Sequence, residues 1–189
     1  ATRIIDLAYS YQCNLSCEHC TAWRGRWMRG VGAKKLTPSD LRRLSEEADQ
    51  LGLAQFCISG GEPTTFQDLD EVILALQPDK FHLAMSTHGH FLTKEKAIHY
   101  KSLGLDKVKI SLDDFDPAVH DANRHSDGAY QKAIDALFNA ALSFRLSSRV
   151  KQHNHRAFVK WLNLRQRMDS QSISLLQGRL EHGKAATTC

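Results

Sequence analysis

The stretch Ala54-Gln-Phe-Cys-Ile-Ser-Gly-Gly-Glu-Pro63 joins an apolar run to a turn that is rich in glycine. The run predicts a buried β-strand at residues 54–59, and the Gly-Gly-Glu-Pro sequence predicts a loop directly after it. A helix is expected on each side of the stretch, one that Thr37 caps and that ends near Gln50, and one at residues 69–76. The stretch is therefore one strand in a series of strand–helix units.

The same alternation continues along the rest of the chain. Further strands are predicted at residues 4–10, 80–86, 108–112, 146–150 and 172–176, with helices at about residues 93–104, 129–143 and 155–168. Strand–helix units of this length predict a parallel sheet with right-handed crossovers. The predicted fold class is therefore α/β.

The composition is that of an ordinary globular chain. The 189 residues suffice for a buried core, and 42% of them are hydrophobic, so a single domain over residues 1–189 is expected, with no C-terminal auxiliary domain. No apolar run predicts a transmembrane helix, and no signal peptide is visible. A net charge of +4 does not by itself indicate nucleic acid binding. Three of the five cysteines are clustered rather than spread as a disulfide framework, so a reducing, cytoplasmic location is expected.

The clustered cysteines follow the first strand, in the sequence Cys13-Asn-Leu-Ser-Cys17-Glu-His-Cys20. Three thiolates on one loop can hold three irons of a cubane iron–sulfur cluster and leave the fourth iron open to another ligand. The same triplet, with His19 as a fourth ligand, also suits a zinc site, and a redox role is a third interpretation. The triplet alone leaves these three interpretations open.

Polar residues and tight turns also mark the carboxyl ends of the other predicted strands. They are, in chain order, Gly60, Gly61, Glu62, Pro63, Ser86, Ser111, Asp113 and Arg149. Parallel strands end at the same edge of a sheet, and ligands bind at that edge in α/β folds. We therefore expect these residues to share one site with the cysteines, which favours a catalytic role for the triplet over a structural one.

In combination, these motifs resemble those of the radical S-adenosylmethionine (SAM) superfamily. The resemblance is carried by the cysteine triplet, by Gly60-Gly-Glu-Pro63 and by the strand end Ser111-Leu-Asp113, and it covers about residues 4–177. Residues 114–124 further resemble the branch that modifies peptides and proteins. The resemblance implies a partial (β/α)6 TIM-like barrel, open on one side, which six predicted strands would fit.

The resemblance also implies cofactors. Cys13, Cys17 and Cys20 would hold a 4Fe–4S cluster, and the amine and carboxylate of SAM would bind its open iron. One electron would then cleave SAM and give a 5′-deoxyadenosyl radical, which is chemistry that the cofactors supply.

The resemblance implies a SAM contact for each remaining candidate residue. Gly60 and Gly61 would let the backbone approach the methionyl group, Glu62 would accept from its ammonium, and Pro63 would stiffen the turn. Ser111 and Asp113 would bind the ribose hydroxyls. Arg149 would pair with the methionyl carboxylate, His19 would meet the adenine, and Ser86 is a further contact at the same edge.

The expected partners are a peptide or small-molecule substrate and an external one-electron donor such as flavodoxin or ferredoxin. Arginine and tryptophan alternate in residues 23–29, which could form one wall of a peptide groove or cover the open end of the barrel. The competing hypothesis is a zinc- or cluster-binding interaction protein without catalysis. The residues at the strand ends argue against that hypothesis, because a binding protein has no need of them.

Overall fold

The computed structural model describes residues 4–20, 36–141 and 143–149, with side chains up to residue 144. The chain divides into two compact units, Ala1–Lys151 and Gln152–Cys189, and every described residue lies in the first. The predicted helix at residues 155–168 and the predicted sixth strand at residues 172–176 lie outside the described residues. A single domain over residues 1–189 stays a prediction.

Five parallel strands form one sheet in the order β1-β2-β3-β4-β5. The strands are β1 (Ile4–Ser10), β2 (Gln55–Gly60), β3 (His82–Thr87), β4 (Lys107–Ser111) and β5 (Arg145–Arg149). The helices are α1 (Pro38–Gln50), α2 (Leu69–Ala75), α3 (Lys94–Ser102), α4 (Pro117–Arg124) and α5 (Ala129–Ala141). Over the described residues the sheet is open, since β1 and β5 each pair with one neighbour. The predicted α/β fold class is confirmed, and the five described strands lie within two residues of their predicted bounds.

Local capping chemistry explains why α1 begins where the sequence predicts. The Thr37 hydroxyl accepts a hydrogen bond from the Asp40 backbone N–H at 3.2 Å, and the Asp40 carboxylate accepts from the Thr37 N–H at 2.9 Å. This reciprocal pair satisfies two donors that a helix start leaves without intrahelical partners. Pro38 occupies the first turn, where no N–H is needed.

The two faces of the sheet differ in chemistry because side chains alternate along each strand. One face carries buried apolar side chains, namely Phe56, Ile58, Leu83, Met85, Val108 and Ile110. The other face carries smaller or polar side chains, including Cys57 on β2, Ser86 on β3 and Lys109 on β4. The apolar face therefore supplies much of the core. Among the described helices, none is both long enough and apolar enough to cross a membrane.

Helix α4 was not anticipated, although the sequence carries its start signal. Asp116 accepts a hydrogen bond from the Ala118 backbone N–H at 2.9 Å, and Pro117 fills the first turn. The helix ends at His125, which adopts a left-handed conformation with φ of 51°. This short helix brings His120 and Arg124 to the carboxyl edge of the sheet.

Candidate active site at the carboxyl edge of the sheet

The cysteine loop follows β1 and contacts α4. Cys17 is buried, whereas Cys13 and Cys20 are half-buried, and none of the three is in a disulfide. The Cys20 N–H donates to the Cys17 carbonyl at 3.1 Å, and the Leu15 N–H donates to Cys13 Sγ at 3.4 Å. The loop is also tied to α4, since the Glu18 N–H donates to the carbonyl of Asn123 at 3.1 Å.

The thiols of this loop form a donor set that suits a metal cluster. Burial raises the pKa of the Cys13 thiol, the Leu15 N–H opposes this, and the charges of Glu62, Cys17 and Cys20 raise it further. Within the described ranges, no three His, Cys, Asp or Glu side chains are already gathered to hold a metal ion. The three thiols nevertheless lie on one short loop, at Cys13, Cys17 and Cys20. Loading would therefore have to remove protons and draw the thiols together, which is usual for metal sites.

Gly60 and Gly61 are required by a close approach of two backbone segments. The Gly61 N–H donates to the Ser10 carbonyl at 2.7 Å, and the Glu62 N–H donates to the Gln12 carbonyl at 2.8 Å. A Cβ at Gly60 would lie 2.3 Å from the Ser10 oxygen, and one at Gly61 would lie 2.0 Å from the Gln12 oxygen. Gly60 also has a φ of 116°, which favours glycine. The glycine pair thus fastens the start of the cysteine loop, and its contact with a methionyl group stays a prediction.

Glu62 is only 1% exposed and ties the end of β2 to the end of β3. Its Oε1 accepts from the Thr64 N–H at 3.1 Å, the Thr64 hydroxyl at 2.6 Å and the Thr87 hydroxyl at 2.5 Å. Its Oε2 accepts from the His88 N–H at 2.8 Å. Burial raises the pKa of this carboxyl, and the hydrogen bonds oppose that shift. Since a carboxylate offers about four acceptor sites, a contact with the ammonium of SAM would have to share or displace one of these donors.

His88 connects this carboxylate to the cysteine loop. Its Nδ1 accepts from the His90 N–H at 3.2 Å, so the ring proton of neutral His88 lies on Nε2. That Nε2 lies 2.9 Å from Asn14 Oδ1 and 3.3 Å from Glu62 Oε2. Burial lowers the pKa of His88 to about 3, so the ring is neutral at physiological pH. The network therefore fixes Asn14, which directly follows the first cysteine.

Asp113 forms a buried pair with Arg124 beside Cys17, the most buried of the three cysteines on the loop. Arg124 Nε and Nη2 donate to the two carboxylate oxygens at 2.8 and 2.9 Å, and both side chains are less than 10% exposed. Arg124 Nη1 lies 3.8 Å from Cys17 Sγ. The Asp113 N–H donates to Nδ1 of buried His120 at 3.1 Å, and His19 Nε2 lies 3.9 Å from Asp113 Oδ1. The Asp113 carboxylate, which is predicted to bind the ribose, thus also accepts two hydrogen bonds from Arg124, a residue that the sequence did not indicate.

The remaining predicted residues are distributed along the same edge. Pro63 begins a short 3₁₀ turn, Pro63–Thr65, and is buried. Ser86 Oγ lies 3.6 Å from Cys57 Sγ on the polar face of the sheet, and Ser111 ends β4 half-buried. Arg149 pairs with Ser111 in backbone register, but its side chain lies outside the described residues, as do residues 23–29. The predicted convergence of the motifs at one edge is therefore observed, while the individual SAM contacts stay predictions.

Comparison with known proteins identifies the family of this chain. The family model described as the radical SAM superfamily matches residues 7–147, which is more than half of the chain. The AdoMet-dependent heme synthase of Methanosarcina barkeri is 28% identical over 167 residues, which are 87% of this chain and 47% of that protein. The probable GTP 3′,8-cyclase of Thermococcus kodakarensis is 32% identical over 124 residues, which are 66% of this chain and 39% of that protein. The chain thus spans less than half the length of these relatives.

Solved structures share the fold. SuiB of Streptococcus suis bound to its precursor peptide SuiA superposes with a TM-score of 0.68 at 17% identity, covering 86% of this chain and 36% of that chain. Methylornithine synthase (PylB) superposes with a TM-score of 0.66 at 11% identity, covering 84% of this chain and 48% of that chain. At these identities the likeness concerns the fold alone.

Proposed function

Because the chain belongs to the radical SAM superfamily of enzymes, we propose that Cys13, Cys17 and Cys20 hold a 4Fe–4S cluster that binds and reductively cleaves SAM. When bound, the cluster would pass one electron to SAM, and the C–S bond to the 5′ carbon would break to give methionine and a 5′-deoxyadenosyl radical. Three protein thiolates would leave one iron free for SAM.

The observation that carries this proposal is the attachment of the cysteine loop to the Gly-Gly-Glu-Pro turn. The N–H groups of Gly61 and Glu62 donate to the carbonyls of Ser10 and Gln12, which lie three residues and one residue before the first cysteine. A site that only binds zinc needs its ligands and no second motif from another strand. In a catalytic site, by contrast, the loop that holds the cluster and the turn that contacts SAM must keep a fixed separation.

In this proposal SAM lies along the carboxyl edge of the sheet. Its methionyl group would meet residues 60–63, and its ribose would reach Ser111 and Asp113 on the far side of Ser86. The order β1-β2-β3-β4 supports this path, because it lines up the cysteine loop, the turn after β2 and the ends of β3 and β4 in sequence. His19, near Asp113, is the proposed adenine contact, and Arg149 is the proposed carboxylate contact.

The substrate is proposed to be a peptide or a small metabolite. The peptide-bound SuiB structure supports the first, and the names of the heme synthase and GTP cyclase relatives support the second. An external one-electron donor such as flavodoxin or ferredoxin is needed, because no described residue is a source of electrons at the required potential. A reducing cytoplasm is the proposed compartment, since the thiols must stay reduced before loading.

Anaerobic reconstitution of the purified chain tests the proposal. Wild-type protein should bind four iron and four sulfide per chain and should release 5′-deoxyadenosine from SAM when dithionite is added. Changing Cys13, Cys17 or Cys20 to Ala should abolish both. Cys57→Ala is the matched control, because Cys57 is a free cysteine on β2 and away from the loop, and it should keep the cluster. Stoichiometric zinc without sulfide would instead favour the interaction protein.

A further inference from the structure

Two lysines of β4, Lys107 and Lys109, lie on the polar face of the sheet. Lys107 and Lys109 are separated by two positions, so their side chains share a face, and both are half-buried. In backbone register they lie beside Ala84 and Ser86 of β3. Lys109 Nζ donates to Cys57 Sγ at 3.2 Å, which confirms that it extends over the polar face toward β2.

Neither lysine has a carboxylate partner among the described residues. Elsewhere in that part of the chain, two exposed lysines do have carboxylate partners, Lys80 with Asp49 at 2.6 Å and Lys101 with Asp106 at 3.8 Å. Lys107 and Lys109 are more shielded from water than these two lysines, and they have no such partner. A thiol is only a weak acceptor, so Cys57 does not replace a carboxylate for Lys109. A half-buried ammonium that has lost part of its hydration is stabilised by an anionic ligand.

Acidic residues on the described strands lie far from the two lysines. The acidic residue in register on this face is Asp6, which pairs with Cys57 and lies on β1, three strands from β4. At about 4.8 Å per strand that is on the order of 14 Å away. On the described strands, no carboxylate in register therefore lies beside Lys107 and Lys109 to neutralise them.

The lysines lie below the edge at which SAM is proposed to bind. Ser111 ends β4 at that edge, and at about 3.3 Å per residue Lys109 is roughly 7 Å deeper and Lys107 roughly 13 Å deeper. An anion held there belongs to a second molecule. We propose that Lys107 and Lys109 bind an anionic group of the substrate, a phosphate or a carboxylate, on the polar face beneath SAM. This inference rests on the proposed function, because it takes the molecule above the lysines to be SAM.

Calorimetric titration of the cluster-loaded full chain in the presence of SAM tests the inference. The probes are tripolyphosphate and citrate, which separate a phosphate site from a carboxylate site. Wild-type protein should bind at least one probe saturably, and Lys107→Gln/Lys109→Gln should weaken that binding by about tenfold or more, as expected for lost charge-assisted hydrogen bonds. The dissociation constant of SAM should stay within about twofold.

Two further variants keep the test decisive. Lys94→Gln/Lys101→Gln removes the same charge from exposed positions on α3 and should bind the probe like wild type. Lys107→Arg/Lys109→Arg keeps the charge and should retain binding if the β4 strand folds normally. The inference is overturned if neither probe binds saturably, if the α3 control loses as much affinity, or if SAM affinity falls as far as probe affinity. If the probe binds through the two lysines but the chain does not cleave SAM, the proposed function is wrong and the anion site stands.

Discussion

The buried pair between Asp113 and Arg124 allows a quantitative test of how the cysteine loop is supported. Changing Arg124 to Met leaves the Asp113 carboxylate in a site where the side chain is 8% exposed and where two hydrogen bonds of 2.8 and 2.9 Å are lost. Removing one partner of such a buried pair destabilises a protein by about 3–5 kcal/mol. Because domains unfold with about 5–15 kcal/mol, the variant should lose about a fifth or more of its stability.

A double-mutant cycle measured by urea unfolding separates the pair from its surroundings. Asp113→Leu and Arg124→Met should each be strongly destabilising, while the double variant should be more stable than the sum predicts, by about 2 kcal/mol or more. The iron-free chain is used, so that cluster loss does not enter the free energy. The control is Lys80→Met, which breaks an equally short but exposed pair with Asp49 and should leave the unfolding midpoint almost unchanged. Additive single effects, or an Arg124 variant no weaker than the Lys80 control, would refute the reasoning.

Three further predictions concern the turn after β2 and the network beneath it. Gly61→Ala should prevent cluster loading, because its Cβ would lie 2.0 Å from the Gln12 oxygen. The control is Gly52→Ala, at a position with open space around it, which should lower the free energy of unfolding by only about 1–2 kcal/mol because of its left-handed backbone and should keep the cluster. Equal iron contents in the two variants would contradict this prediction. Thr87→Val removes one donor to buried Glu62 and should lower the unfolding free energy by about 1.5–3 kcal/mol in urea titrations. His88 has a folded pKa of about 3, below its ordinary value near 6.5, so the iron-free chain should lose stability as the pH falls through that window, by up to about 1.4 kcal/mol per pH unit. His88→Gln should show a shallower slope, and parallel curves would count against the assignment.

Local signals predicted most of the secondary structure. Helix α1 begins as predicted because Thr37, Pro38 and Asp40 make their contacts within four residues of one another. Strands β1 to β4 were located from short apolar runs with turns after them. The bounds of β1 agree with the prediction, and those of β2, β3 and β4 differ by one or two residues because strand ends are set by pairing with neighbours. Helix α4 carries the same kind of local start signal in Asp116 and Pro117, and it could have been predicted by the same reasoning.

The site was predictable in outline and not in its contacts. That the cysteine loop, the turn after β2 and the end of β4 share an edge follows from parallel topology alone. The partners of Glu62 and Asp113 do not follow, because Thr87 is 25 residues from Glu62 and Arg124 is 11 residues from Asp113 on a helix that was not predicted. Nothing in the spacing of residues along the chain indicates which carboxylate a given hydroxyl or guanidinium will reach. A carboxylate chosen as a ligand contact from its position at a strand end therefore turned out to have protein partners as well.

The backbone bonds from Gly61 and Glu62 to the start of the cysteine loop have a consequence for biosynthesis. The three cysteines leave the ribosome about forty to fifty residues before the turn that fastens their loop. At roughly 5–20 residues per second, that interval lasts roughly 2–10 s, during which the thiols are on a nascent chain without their anchor. Iron delivered in that interval would meet a loop free to adopt other ligand arrangements. Correct loading therefore depends on delivery after β2 has docked beside β1, and slowing translation between the two motifs should increase the fraction of misloaded chains.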